Sequence, residues 1–130
     1  KSMQVFTSPI ISLDYDSVKK VLYQNWDGFA TSVQFREAID KTVDFVKQNP
    51  VLYIVSNTTT QRPVGPEDGK YAASKMPVLF SSGVKAMAFV LPKNVLTKLA
   101  LGNFAKEQGM PSNVRYFDDL QEAEDWLFTF

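Results

Sequence analysis

Seven consecutive polar residues, Ser56, Asn57, Thr58, Thr59, Thr60, Gln61 and Arg62, follow the apolar run VLYIV and lead into PVGPED. Hydroxyls, side-chain amides and a guanidinium at that density suit two chemistries: binding of a small anion or protein surface, or modification of a hydroxyl. The stretch lies where a buried strand gives way to a helix, and in open α/β sheets ligands bind beyond the carboxyl ends of the strands. Loops there also need Ser, Thr, Asn, Gly and Pro for purely conformational reasons. The seven residues are therefore the candidate binding loop.

Other constellations resolve more simply. GPEDGK (65–70) has the glycines and lysine of a phosphate loop, but one residue too few between the glycines, and Tyr71 replaces the hydroxyl that would reach magnesium. Glu67 and Asp68 would repel phosphate. The carboxylates of FDDLQEAED are explained by helix capping and the helix dipole. Asp118 and Asp119 are adjacent and diverge, whereas a hard cation needs convergent oxygens. Asp14, Asp16 and Asp27 read as turn residues. An enzyme built on carboxylates and tyrosines would draw on Asp118, Asp119, Tyr116 or Tyr71, and would need them to meet in one concavity. Trp26, Trp126 and the ten phenylalanines suit a core, or the lining of a cavity for an apolar ligand. NTT (57–59) matches a glycosylation acceptor by chance.

Composition narrows the field further. At 130 residues, with 45% hydrophobic and 22% charged residues, the chain is expected to form one soluble domain over 1–130. Basic and acidic residues balance at 14 each, so nucleic-acid binding is not expected. With neither Cys nor His, disulfides, thiolate nucleophiles, a Ser-His-Asp triad and the usual zinc sites are excluded. The reading assigns no cofactor and no metal. No apolar run reaches the ~18 residues of a membrane span, and no signal-peptide pattern opens the sequence as given. A cytoplasmic protein is the expectation.

The elements that position these residues follow from periodicity. Val5–Trp26 reads as two strands about a turn at DYDS. Phe35, Ala38, Ile39, Thr42, Val43 and Val46 mark an amphipathic helix over Ser32–Gln48, with Thr31 and Gln34 as a capping box. VLYIVS (51–56) is a central strand, followed by a helix opening at Pro66, which Pro77 should kink or end. VKAMAFVLP (84–92) is a strand, NVLTKLALGNFAKEQG (94–109) a helix with Asn94 as cap, and NVRYF (113–117) a strand. A last helix has Asp118 or Asp119 as cap and Leu120, Ala123, Trp126 and Leu127 inward. The order is ββαβαβαβα: a mixed five-stranded sheet with about four helices, its helix-linked strands parallel.

With that order, WDGF after the second strand, VLYIVSNT, GVKAMAFVLP and the closing YFDDxxEAxxWL resemble the SpoIIAA-like (STAS/Sec14-like) family of small bacterial proteins. The resemblance implies a mixed sheet with helices stacked against it. Its anti-sigma factor antagonists bind a protein kinase and are phosphorylated on a serine of a DSSG-like turn between the third strand and the second helix. Here that junction is SNTTTQRPVGPED, longer and without the motif, so the switch does not carry over. Sec14-type relatives hold lipid in a larger cavity under an added lid, for which this chain has no spare residues. The leading expectation is a non-catalytic binding or regulatory module that presents Ser56–Arg62 to a protein partner or small anion. Phe128 and Phe130 offer docking on a neighbour, including a second copy in a homodimer. The alternative is a carrier of a small apolar ligand or lipid.

Overall fold

The computed structural model describes residues 2–95 and 111–130. Its sheet has six strands in sequential order: β1 (Ser2–Ser8), β2 (Ile11–Asp16), β3 (Val21–Gly28), β4 (Tyr53–Gln61), β5 (Ala86–Val90) and β6 (Val114–Phe117). β1, β2 and β3 pair antiparallel, and β3 to β6 run parallel. Among the described residues the complete helices are α1 (Ser32–Gln48), α2 (Pro66–Ser81) and α3 (Leu120–Leu127).

The amino-terminal segment holds three strands where two were expected. The turn between β1 and β2 uses only Pro9 and Ile10, so the alternation from Met3 to Asp16 looks continuous in sequence. Asp14 consequently lies inside β2 and is not a turn residue, and Asp27 lies in β3. Asp16 does make a turn, its Oδ1 accepting from the amides of Val18 and Lys19 at 3.0 Å each. The chain then passes through a left-handed residue, Lys20, at φ 61°.

Helix α1 has the expected bounds, and both halves of its capping box are formed. Helix α2 starts at Pro66 but runs on through Pro77 to Ser81, so the proline does not end it. Proline removes the bond to the carbonyl four residues back. That residue, Ala73, is exposed, where water can serve its carbonyl instead. Asp119, not Asp118, caps α3 by accepting from the Glu122 amide at 2.9 Å. Ala123 and Leu127 are buried beneath it, whereas Leu120 is 41% exposed and faces outward. The helix expected over 94–108 lies outside the described residues apart from its start. Residues 93–95 are already helical, so the helix begins ahead of the expected cap, Asn94.

Right-handed crossovers between strands in sequential order put α1 and α2 on one face of the sheet. Leu22, Ile54, Met87 and Val114 form the core beneath them. On the opposite face Val21, Val55, Ala88 and Phe117 pack against Ala123 and Leu127 of α3. Ile54 is fully buried at the middle of this arrangement. Truncation by Ile54→Ala should lower the unfolding free energy by about 2–5 kcal/mol, the usual cost of a large aliphatic deletion. Urea denaturation measures it.

Candidate functional site

The polar run expected as a loop is mostly strand. Ser56 to Gln61 are the last six of the nine residues of β4, and only Arg62 lies beyond it. They pair with β3 through Asn25–Asn57, Asp27–Thr60 and Gly28–Gln61. Two residues, Thr58 and Thr59, there span the distance that Trp26 alone spans on β3, which is a β-bulge. Each threonine has a task at this irregularity. Thr58 Oγ1 donates to the Val90 carbonyl of β5 (2.9 Å), and Thr60 Oγ1 donates to the Trp26 carbonyl of β3 (3.1 Å). Asn57 Oδ1 accepts from the amide and hydroxyl of Thr59. The run is thus largely the fastening of a bulge.

The bulge also changes which side chains face inward. Strict alternation from Ser56 would give Thr58 and then Thr60, but Ser56, Thr58 and Gln61 line a cavity of about 320 Å³ between the sheet and the two helices. It sits towards the carboxyl ends of the parallel strands, as the open-sheet rule anticipates. Its walls are mainly apolar: Trp26, Phe35 and Ile39 at one end, Met76, Met87 and Phe89 at the other. Lys75 is the charged residue among the described lining.

Within this shell, one row of side chains crosses the sheet. Gln24 of β3 pairs in register with Ser56 of β4, Ser56 with Phe89 of β5, and Phe89 with Tyr116 of β6. All four line the cavity. Gln24 and Ser56 are 3% and 2% exposed. Trp26, stacked on Phe35 at 5.1 Å, donates from Nε1 to Ser56 Oγ at 3.1 Å. Gln24 Nε2 donates to Thr42 Oγ1 at 3.0 Å, and Thr42 donates to the Ala38 carbonyl at 2.9 Å. Tyr116 packs edge-on against Phe89, and burial pushes its phenol above the ordinary tyrosine value.

The outer wall is closed by polar contacts between the helices. Asp68 of α2 accepts from Ser32 Oγ at 2.7 Å and Arg36 Nε at 2.9 Å on α1. The Ser32 hydrogen bond and then the Arg36 guanidinium hold its carboxyl below the usual range. One turn further, the Tyr71 hydroxyl donates to Asp40, and its ring lies beneath Arg36 (4.8 Å) and Lys75 (4.9 Å). Gln61 and Arg62 border a smaller hollow of about 220 Å³ with Phe29 and Asp68.

Of the seven sequence candidates, then, Ser56, Thr58 and Gln61 reach the main cavity, while Asn57, Thr59 and Thr60 serve the bulge and Arg62 lies at the second hollow. Tyr116 lines the main cavity, but Asp119 is spent on capping and Tyr71 on Asp40. Gln24 and Thr42 were missed. Their signal was parity: Gln24 shares its face with Leu22 and Trp26, and Thr42 lies in the apolar stripe of α1.

No family model matches the chain, and a search of curated proteins found no match. Solved structures do match. An uncharacterised protein of the DUF3478 family from Shewanella loihica PV-4, described as having a SpoIIAA-like fold, aligns at a TM-score of 0.53 and 14% identity. The alignment spans 94% of this chain and 98% of that one. The fold is SpoIIAA-like, with one strand more than the sequence suggested. Among the described residues no helix is long and apolar enough to cross a membrane.

Asp68 allows a direct check of the helix joint. Its folded pKa is depressed, so its contribution is present above the unfolded carboxyl value of about 4 and lost as pH falls through the folded one. Asp68→Asn should lower the melting temperature at neutral pH. The gap to wild type should close in acid, as thermal melts across pH will show.

Proposed function

We propose that this protein binds a small, largely apolar molecule in the cavity between the sheet and helices α1 and α2. One observation carries the reading: a cavity of about 320 Å³ with aromatic and aliphatic walls and a few inward polar groups, at the carboxyl ends of parallel strands. Ligand sites are commonly of this size and character. A space left merely by poor packing would cost stability roughly in proportion to its volume, and here bulged strand and bonded helices hold it open. Presentation of Ser56–Arg62 to a protein partner is the weaker reading, because most of those side chains are engaged at the bulge.

Titration with the neutral fluorophore N-phenyl-1-naphthylamine tests the proposal. Wild type should bind it with blue-shifted, enhanced emission. Ala72→Phe places a ring in the cavity beside α2 and should weaken binding at least about tenfold, equivalent to ~1.4 kcal/mol, while leaving the melting temperature equal or higher. A wild type that gives no enhancement, or an Ala72→Phe variant that binds as well, would overturn it.

A further inference from the structure

The polar groups in the cavity are specific enough to define the ligand's head. Thr42 spends its proton on the Ala38 carbonyl, so its oxygen accepts from Gln24. Gln24 must therefore turn its NH2 to Thr42, and its carboxamide oxygen faces the other way. That oxygen has no partner among the described residues. No fully enclosed side-chain nitrogen or oxygen among them is unpaired, so this one borders open space and not packed apolar atoms. The space it borders is the cavity that Gln24 lines.

Ser56 mirrors this on the next strand. Its oxygen accepts from Trp26, and its own proton has no acceptor among the described residues. Because Gln24 and Ser56 are register partners, the two side chains leave the sheet on the same face, and both line the cavity. The cavity therefore presents one acceptor and one donor from side chains only 3% and 2% exposed.

Resting on the reading of the cavity as a ligand site, we infer that it selects an uncharged head offering a donor and an acceptor together: a hydroxyl or a primary carboxamide on an apolar body. Such a head gives a proton to Gln24 and takes one from Ser56. A carboxylate has no proton for Gln24, and brings its charge against the lone pairs of that oxygen. An unmatched buried polar group is costly, which is how hydrogen-bonding sites reject near-isosteres. The competing features are Lys75, a lining residue whose ammonium lies over the Tyr71 ring and whose charge would favour an anion, and the further donors of Gln61 and Tyr116.

Displacement of N-phenyl-1-naphthylamine by octanamide, 1-octanol and octanoate at about pH 8, where the carboxyl is ionised, decides between them. Octanamide and 1-octanol should displace the fluorophore at least about tenfold more strongly than octanoate, the effect of roughly one hydrogen bond. Gln24→Met, paired with Thr42→Val so that no hydroxyl is stranded, should bring the three within about threefold while the fluorophore still binds. Lys75→Gln should leave octanamide unchanged. Octanoate matching or exceeding octanamide on wild type would overturn the assignment and leave the apolar cavity standing. Selectivity surviving in the Gln24→Met/Thr42→Val protein would do the same. A fluorophore that does not bind wild type at all would overturn both readings.

Discussion

The structure depends on one topological constraint. Strands β3 to β6 are parallel neighbours in sequence order, so the right-handed crossovers through α1 and α2 return on the same face. That face receives α1 and α2, and among the described helices α3 is the one that covers the other. The carboxyl-terminal helix closes it with a ladder of aromatic contacts. Phe117 meets Trp126 at 5.6 Å, and Trp126 meets Phe130 at 4.9 Å. Tyr53 packs against Phe128 and donates its hydroxyl to the Phe130 carbonyl at 3.0 Å. Phe128 and Phe130 remain 40% and 42% exposed, but their inner edges belong to the fold.

The same constraint explains why space remains on the α1 and α2 side. Residues at the start and middle of the strands meet the helices through tight aliphatic packing around Ile54. Further along, the helices are joined to each other by Asp68 and Tyr71 at their outer surface instead of being drawn onto the sheet. Below that joint the strand row carries Gln24, Ser56, Phe89 and Tyr116. In that row a glutamine and a serine on β3 and β4 stand beside rings on β5 and β6. The bulge at Thr58 and Thr59 then adds Gln61 to the wall.

Much of the fold was legible because local signals were strong. The capping box of Thr31 and Gln34, the stripe from Phe35 to Val46 and proline at the start of α2 act within a few residues. The β1–β2 turn was not legible, since Pro9 and Ile10 interrupt the alternation too briefly. The length of β4 was hidden for a different reason. Asn, Thr and Gln there look like loop chemistry, yet the Asn and Thr side chains bond to a neighbouring strand or within the bulge and Gln61 pairs through its backbone, and pairing across strands is invisible in one chain segment. The site was half legible: its place at the carboxyl end of β4 followed from the fold class, whereas Gln24 and Thr42 matter through contacts with distant residues. The parity of Gln24 with Leu22 and Trp26, and the place of Thr42 in the apolar stripe of α1, were the signals that pointed inward beforehand.

The chemistry of the cavity follows from the same economy of charge seen in the sequence. Its inward polar groups on the sheet are amide, hydroxyl and phenol, and burial moves the one titratable member, Tyr116, away from ionisation at neutral pH. Asp68, which lines the neighbouring hollow, is turned to Ser32 and Arg36 and is occupied with holding α1 to α2. Hydrogen bonds from amide and hydroxyl groups keep their donor and acceptor roles across the physiological pH range, because neither group titrates there. Recognition of the proposed ligand would accordingly rest on shape and on matched protons, with Lys75 the one charged residue among the described lining.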